Sequence, residues 1–450
     1  MIVQDLDWRE PYAAFAPLTG EAHAHLLHGG DRAHNADWSI IAAFPKCVLE
    51  IGADDAGDPF GQLQALISER KIDDRARPAG APFVSGIIGY AGYEMARFVE
   101  PSLSLPASPF ALPDMVFGVY DAAAVFSRKT RRAFLVGREE TACIRLAAAL
   151  GKDAPQRSVL PEYRQITSNF TARQYEAGVR SVIEDISNGD YYQANISHQF
   201  SIETSGEFNA FSLFRRLAGE SDAFYGALLQ YPDGAILSNS PERFFCVTQG
   251  EGGARRIVTE PIKGTRPRGA AALDDLALAQ ELLNDPKDRA ENIMIADLMR
   301  NDLSKICCDG SIQEEAICEL MSLANVHHLL SRISGELRDD VRFSDIFSAL
   351  FPCGSITGAP KIEAMNAIAK TEQIGRGPYC GAIGYIDDSG AAEFSVAIRA
   401  MMVTKNNKRL TIPVGGGVTL RSDPYQEYQE TLTKAHSALE AAGKSHRDAS

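Results

Sequence analysis

The sequence predicts an α/β (α+β) fold, and three observations lead there. Short apolar runs alternate with helix-period segments along the whole chain. Of 450 residues, 45% are apolar and 23% charged, the balance of an ordinary globular chain. Two stretches, GIIGYAGYE (86–94) and GAIGYIDDS (381–389), resemble each other, which hints that related strands recur. Length alone suggests about three domains, although large α/β folds often run as one unit.

Composition removes several classes. Net charge is −14 and no basic block is present, which disfavours a nucleic-acid partner. The opening MIVQDLDWREPY lacks a basic n-region and an apolar h-region, so no signal peptide is expected. No uncharged apolar run reaches the ~18 residues that would suggest a membrane span. The eight cysteines are scattered, with Cys307 and Cys308 the one close pair and no CxxC. Reduced, mostly buried thiols are therefore expected, rather than disulfides or zinc. A soluble, cytoplasmic protein fits all of this.

The elements follow in order. The polar stretch 151–171, with two prolines, reads as a linker between a region 1–155 and a region 165–445. Beyond it the pattern gives a helix at 172–189 and strands near 194–202 and 223–248. Arg256 to Glu260 alternates like a strand, and Gly264 with Pro267 marks a turn. A long helix runs from about 286 to 306, with strands near 322–337, 380–388, 392–404 and 409–415. A final helix covers roughly 424–442.

Lys263 is out of place in this pattern. It sits between an apolar Pro-Ile pair and a Gly-Thr turn, where an ammonium is costly unless paired or deprotonated. Such a lysine is either an ion-pair partner or an amine used for chemistry.

Two helices carry paired acids. In NDPKDRAENIMIADLMRNDLSK, Asp285 is a plausible N-cap with Pro286 at the first helical position. Asp288 and Glu291 share one face of that helix. In RSDPYQEYQETLTKAHSAL, Asp423 precedes Pro424, and Gln426 completes a capping-box pattern. Here Glu427, Glu430 and Lys434 share a face. Each acid pair alone reads as a solvated helix surface; two pairs converging read as a Mg²⁺ site completed by waters and substrate oxygens.

FPCGSITGAPKIEAM (351–365) places Gly354, Ser355, Thr357, Gly358 and Pro360 before a helical run, which would aim backbone N–H groups at an anion. It has no Walker A spacing. Gly415 to Gly417 follow a strand, where a ligand could approach the backbone closely, or a plain tight turn could lie. Arg399 and Lys434 on neighbouring elements favour an anionic ligand. His327 and His328 would point to opposite faces of a strand, so at most one faces a given pocket.

These pieces resemble the chorismate-utilising enzymes, the family of anthranilate synthase and aminodeoxychorismate synthase large subunits. The matching stretches run in order over about residues 170–435. They include GDYYQANISHQF, LSNSPERFF, PIKGTRPRG, DRAENIMIADLMRNDL, VHHLLSRISGEL, FPCGSITGAPKIEAM and GGGVTLRSDPYQEYQETLTKA. The N-terminal third is similar more loosely, through FVSGIIGYAGYEMAR. The resemblance implies one large unit in which two β-sheets pack face to face with helices outside. Residues 1–155 then contribute to the same sandwich, and 165–445 form the chorismate-binding catalytic region.

The resemblance also implies roles. Anthranilate synthases look like PIAGT where this chain reads PIKGT, which is similar to aminodeoxychorismate synthases, so Lys263 looks like a nucleophile. The stretch HLLHGGD (25–31) also stands where tryptophan-inhibited relatives usually carry LLES. Lys263 would add at C2 of the chorismate ring as the 4-hydroxyl departs, and ammonia would then enter at C4 and expel the lysine. Glu242 matches the general acid, with a pKa raised by an apolar neighbourhood such as Phe244 and Phe245. His328, rather than His327, matches the family histidine near the ring. Glu291 and Glu430 match the Mg²⁺ ligands, with Asp288 and Glu427 as acids behind them. Thr357, Tyr385, Arg399, Lys434 and the amides of Gly416 and Gly417 match positions that grip the substrate carboxylates. No glutaminase nucleophile elbow is present, so ammonia is expected from a separate glutamine amidotransferase subunit.

The rivals are anthranilate synthase component I and isochorismate or salicylate synthase of the same family. A catalytically silent chorismate-binding subunit and a Mg²⁺-dependent phosphate enzyme are rivals of other classes. The presence of Glu242, Lys263, Glu291, His328 and Glu430 argues against a silent subunit, and the missing Walker signature against the last.

Overall fold

A computed structural model describes the chain except residues 30–36, 71, 73–75, 154–161, 206–208, 221–222, 251–252, 324–325, 405–407 and 444–450. Two sheets of twelve and ten strands make up its centre, and all their strand pairings are antiparallel.

The first sheet runs from Ile2–Leu6 at one edge, through His25–His28, Tyr225–Tyr231, Gly234–Ser240, Ala400–Thr404 and Arg409–Thr419, to Gln193–Ser205 and the short Gly358–Ala359. The second runs from Ile262–Pro267 through Val326–Glu336, Arg255–Glu260, Arg243–Gln249, Ala392–Val396, Ala382–Asp387 and Gly86–Ala91 to Cys47–Ile51. Strands from the first 150 residues lie inside both. The two similar stretches noted above are direct neighbours: Gly89 stands opposite Gly384.

Why the strands read as unbroken apolar runs follows from their position. Leu229, Ile236 and Met402 of the first sheet join Phe245, Ile257 and Phe394 of the second in one cluster between the sheets. The alternate residues Leu228, Leu237 and Met401 face outward against Phe211, Phe214 and Leu439 on covering helices. A strand buried on both faces has no polar side to alternate with.

Two of the places where the chain changes sheets lie side by side. Gly234–Ser240 belongs to the first sheet and Arg243–Gln249 to the second, so the crossing falls at Pro241 and Glu242. Ala392–Val396 and Ala400–Thr404 make the reverse crossing, with Arg399 in the left-handed region at φ 48°. The Val396 amide donates to the Glu242 carbonyl at 3.1 Å, and the Asn239 amide to the Arg399 carbonyl at 3.1 Å. The crossings thereby set Glu242 and Arg399 side by side.

Several sequence expectations change. Within the supposed linker, Glu162–Ser168 is a strand paired with Gln193–Ser205, because its apolar Ile166 packs into a core; residues 154–161 of it lie outside the described residues. The stretch 223–248 is three strands, and 392–404 is two. Lys263 is not in a tight loop but in the strand Ile262–Pro267, whose register shifts at Gly264. Gly264 has φ 74°, and a β-carbon there would stand 2.9 Å from Leu282 and 3.0 Å from Asp288, so the bulge requires glycine. Gly415 to Gly417 lie inside Arg409–Thr419, opposite Ser197 to Asn195. Helices Ala210–Glu220, Ala272–Asn284 and Phe343–Leu350 and the polar strand Gln313–Ser322 went unread. Among the described residues no helix is long and apolar enough to cross a membrane, and all eight cysteines are free.

Candidate active site

Lys263 occupies one wall of the site. Its ε-amine donates to the Ser355 carbonyl at 2.8 Å, and among the described residues no carboxylate lies at ion-pairing distance. The Ser355 carbonyl comes from the 3₁₀ turn Gly354–Ile356, whose neighbouring amides Ile356 and Thr357 are spent on Cys353 and Gly354 carbonyls. The turn therefore offers an acceptor to the lysine, and these two amides are not free for an anion. The Thr357 hydroxyl is likewise turned inward, donating to the Cys353 and Gly354 carbonyls at 3.1 and 3.2 Å.

Glu242 stands behind the same turn. It is 3% exposed, and burial pushes its carboxyl up to about 7 against the pull of the Ser355 hydroxyl, Lys263, the Ile262 amide and Arg399. Phe244 and Phe245 nearby are fully buried. The Ser355 carbonyl thus holds the lysine, while Glu242 Oε1 accepts from the amide of Ile262, the residue before Lys263, at 3.4 Å.

The two histidines diverge as strand alternation dictates. His327 turns to Ser322 at 2.7 Å and Asp275 at 2.9 Å, outside the site. His328 faces inward: its Nδ1 lies 3.0 Å from the Thr265 hydroxyl and 3.1 Å from the Gly264 carbonyl, and its Nε2 3.3 Å from an Arg399 guanidinium nitrogen. Burial and then Arg399 drive its pKa down to about 3. With guanidinium only able to donate, Nε2 accepts and Nδ1 carries the proton.

The glycine strand forms the floor. A β-carbon at Gly417 would lie 2.4 Å from the Gln193 amide and 3.4 Å from Lys263 Nζ; one at Gly416 would meet Glu427 at 3.2 Å and Lys434 at 3.7 Å. Gln193 is wholly buried, yet neither end of its amide has a partner. Sequence reasoning missed it as a site residue, although its place in GDYYQANISHQF, on a strand opposite the glycines, was the signal. Lys434 donates to the Gly415 carbonyl at 3.0 Å and pairs with Glu430 at 2.7 Å.

The four acids divide unevenly. Pro286–Ser304 begins at the Asp285 cap with Pro286 following, and Pro424–Ala441 at the Asp423 cap, as the sequence indicates. Glu291 is pushed up to about 7 by burial, and its buried Oε1 has no hydrogen-bond partner. Glu427 is raised by burial and by Glu430, and accepts from Ser422 at 2.6 Å. Glu430 is held low by Lys434. Asp288 accepts from Arg266 at 3.0 Å. Among the described residues no three ligating side chains gather on one point. An orphaned buried carboxylate oxygen among hard oxygen donors fits Mg²⁺, which keeps several waters and takes one or two carboxylates.

One expected member lies elsewhere. Tyr385 is on Ala382–Asp387, with four strands between it and the lysine strand. Alternation turns its ring edge-on to Phe83 in a separate inter-sheet cavity with Leu27, Trp38 and Glu393. It cannot grip a ligand held by Lys263 and Arg399.

Comparison with known proteins agrees with the geometry. Residues 26–440 match the model of the family described as chorismate binding enzyme. The chain is 33% identical to aminodeoxychorismate synthase component 1 of Klebsiella aerogenes, covering 96% of this chain and 97% of that protein. It is 35% identical to the same-named protein of Salmonella typhimurium, covering 96% of each. The crystal structure of anthranilate synthase component I from Streptococcus pneumoniae superposes with a TM-score of 0.78 at 29% identity, over 91% of this chain and 93% of that one. The chain belongs to the chorismate binding enzyme family.

Proposed function

We propose that the protein is an aminodeoxychorismate synthase component I, converting chorismate and ammonia to 4-amino-4-deoxychorismate for para-aminobenzoate and folate synthesis. The observation that carries this is Lys263: an amine without a carboxylate partner, held by the Ser355 carbonyl beside a buried glutamate. A structural ion pair would need an acid in reach; a nucleophile needs its lone pair free and its direction fixed.

The chemistry follows from the groups in place. Lys263 forms a bond from Nζ to ring C2 while the C4–oxygen bond breaks, and the diene shifts between them. Glu242, kept protonated by burial, gives its proton to the departing hydroxyl, which leaves as water. Ammonia then bonds at C4, the C2–nitrogen bond breaks, and the lysine recovers its electron pair. His328, neutral and fixed by Gly264, Thr265 and Arg399, orients Arg399 toward a substrate carboxylate. Gly416 and Gly417 let the ring approach the backbone, and Gln193 supplies an unspent amide beside it. Mg²⁺ at Glu291 and Glu430, with Asp288 and Glu427 behind, would neutralise and orient the ring carboxylate. The relatives' name, component 1, supports a second component, a glutamine amidotransferase supplying ammonia. Eight free thiols suit a cytoplasmic setting.

The test is intact-protein mass spectrometry with chorismate and Mg²⁺ but no ammonia. Chorismate less one water should appear on a peptide containing Lys263. A protein that consumes chorismate without any adduct, in wild type and Lys263→Ala alike, would overturn the covalent reading.

A further inference from the structure

Between the two acid-bearing helices lies an ammonium that the proposed chemistry does not use. Lys287 stands in the first turn of Pro286–Ser304. Its Nζ lies 3.9 Å from Glu291 Oε1, four residues on, and 3.6 Å from Glu427 Oε1 on the facing helix Pro424–Ala441. Both oxygens belong to largely buried carboxylates, with side chains 13% and 4% exposed, whereas Lys287 is 40% exposed. Neither distance is a hydrogen bond. The ammonium sits astride the gap between the two carboxylates, as a monovalent counterion does, rather than docked on one of them.

The Glu291 oxygen facing Lys287 is the one without a hydrogen-bond partner. A divalent cation on that oxygen would compete with the ammonium for it, and one bridging it to Glu427 would take the ammonium's place. Two cations cannot share it, and a lysine with a four-carbon stem and a half-open surface position can swing to solvent. We propose that Lys287 is the built-in counterion of the metal site: it holds the carboxylates of the two helices together in the metal-free protein and is displaced when Mg²⁺ enters. This rests on the Mg²⁺ reading above. Lys287 is a positioning residue, and it weakens Mg²⁺ binding to the free protein. The arriving substrate carboxylate offsets that penalty, so metal and chorismate bind more tightly together than apart.

The test is calorimetric titration of Mg²⁺ into substrate-free wild type, Lys287→Met, Lys287→Arg and Lys370→Met, the last an exposed lysine paired with Asp185 elsewhere. Removing one cation a few ångströms from two carboxylates should tighten binding roughly tenfold or more in Lys287→Met. Lys287→Arg should stay near wild type, and Lys370→Met should not move. Thermal unfolding gives an independent reading: without metal Lys287→Met should melt lower than wild type, and added Mg²⁺ should raise it by the larger increment. Equal Mg²⁺ affinity in wild type and Lys287→Met would overturn the counterion role and leave the metal site standing. No Mg²⁺ binding by either protein, with or without chorismate, would overturn both.

Discussion

The ε-amine of Lys263 donates to the Ser355 carbonyl at 2.8 Å, and the amide of Ile262, one residue earlier, donates to the Glu242 carboxylate at 3.4 Å. A carbonyl of a 3₁₀ turn therefore fixes the direction of the lysine, and the start of the lysine's own strand meets the carboxyl that would protonate the leaving group. The consequences of this arrangement can be measured.

The pH dependence comes first. Glu242 must be protonated to act as an acid, and its pKa is raised to about 7. Activity as kcat/KM should therefore fall as pH climbs through about 7, with one proton lost. Glu242→Gln should cut kcat by roughly 10²–10⁴-fold and abolish that limb. A limb unchanged in the variant would assign it to another group.

His328 should contribute no limb. Its pKa is lowered to about 3, so it stays neutral across the working range. His328→Gln should lower kcat while the limb near 7 persists, and nitrogen NMR of the wild-type ring should show the Nδ1-protonated tautomer. An imidazolium titrating near neutrality would contradict the assignment.

Stability should also depend on pH. Glu242 and Glu94 have folded pKa values raised by burial from 4.5 to about 7 and about 8. The folded state then holds protons that the unfolded chain releases, so this contribution is complete below 4.5 and is lost as pH rises through about 7 to about 8. Urea midpoints should fall between about pH 4.5 and pH 8 and level off above that, and Glu94→Gln should flatten part of that slope.

Arg376 ties the site to its scaffold. Fully buried, it donates to Glu372, to the Asn195 carbonyl at 2.5 Å and to the Ile356 carbonyl at 3.0 Å, next to Ser355. Arg376→Met leaves Glu372 buried without its cation and should cost about 3–5 kcal/mol in chemical unfolding. A loss under about 1 kcal/mol would show that water replaces the guanidinium.

Gly417→Ala should act on function more than on folding. The added β-carbon would press on Gln193 at 2.4 Å and crowd Lys263 at 3.4 Å, at a position whose φ is unstrained. A drop in kcat/KM of at least tenfold, about 1.4 kcal/mol of transition-state binding, is expected with the melting temperature nearly kept.

Much of this was legible in the sequence for physical reasons. Both carboxylate helices announced themselves through Asp-Pro caps and apolar periodicity, and the structure starts them there. The strands buried on both faces were visible as apolar runs, but their breaks were not: 392–404 reads as one strand because nothing local marks the crossing at Arg399. Lys263 looked like a loop residue because Gly264 mimics a turn, whereas it makes a bulge in a paired strand. Tyr385 shows the limit of motif matching, since four intervening strands are invisible to sequence spacing. Gln193 and Ser355 matter through a buried amide and a main-chain carbonyl, which side-chain chemistry alone does not flag.

The most direct measurement is product identity. Purified protein incubated with chorismate, Mg²⁺ and ammonium, beside Lys263→Ala, is read by mass spectrometry. The account predicts 4-amino-4-deoxychorismate from the wild type and a sharp loss in the variant. Anthranilate as the main wild-type product would contradict it, and Lys263 would then be a structural donor to Ser355 and nothing more.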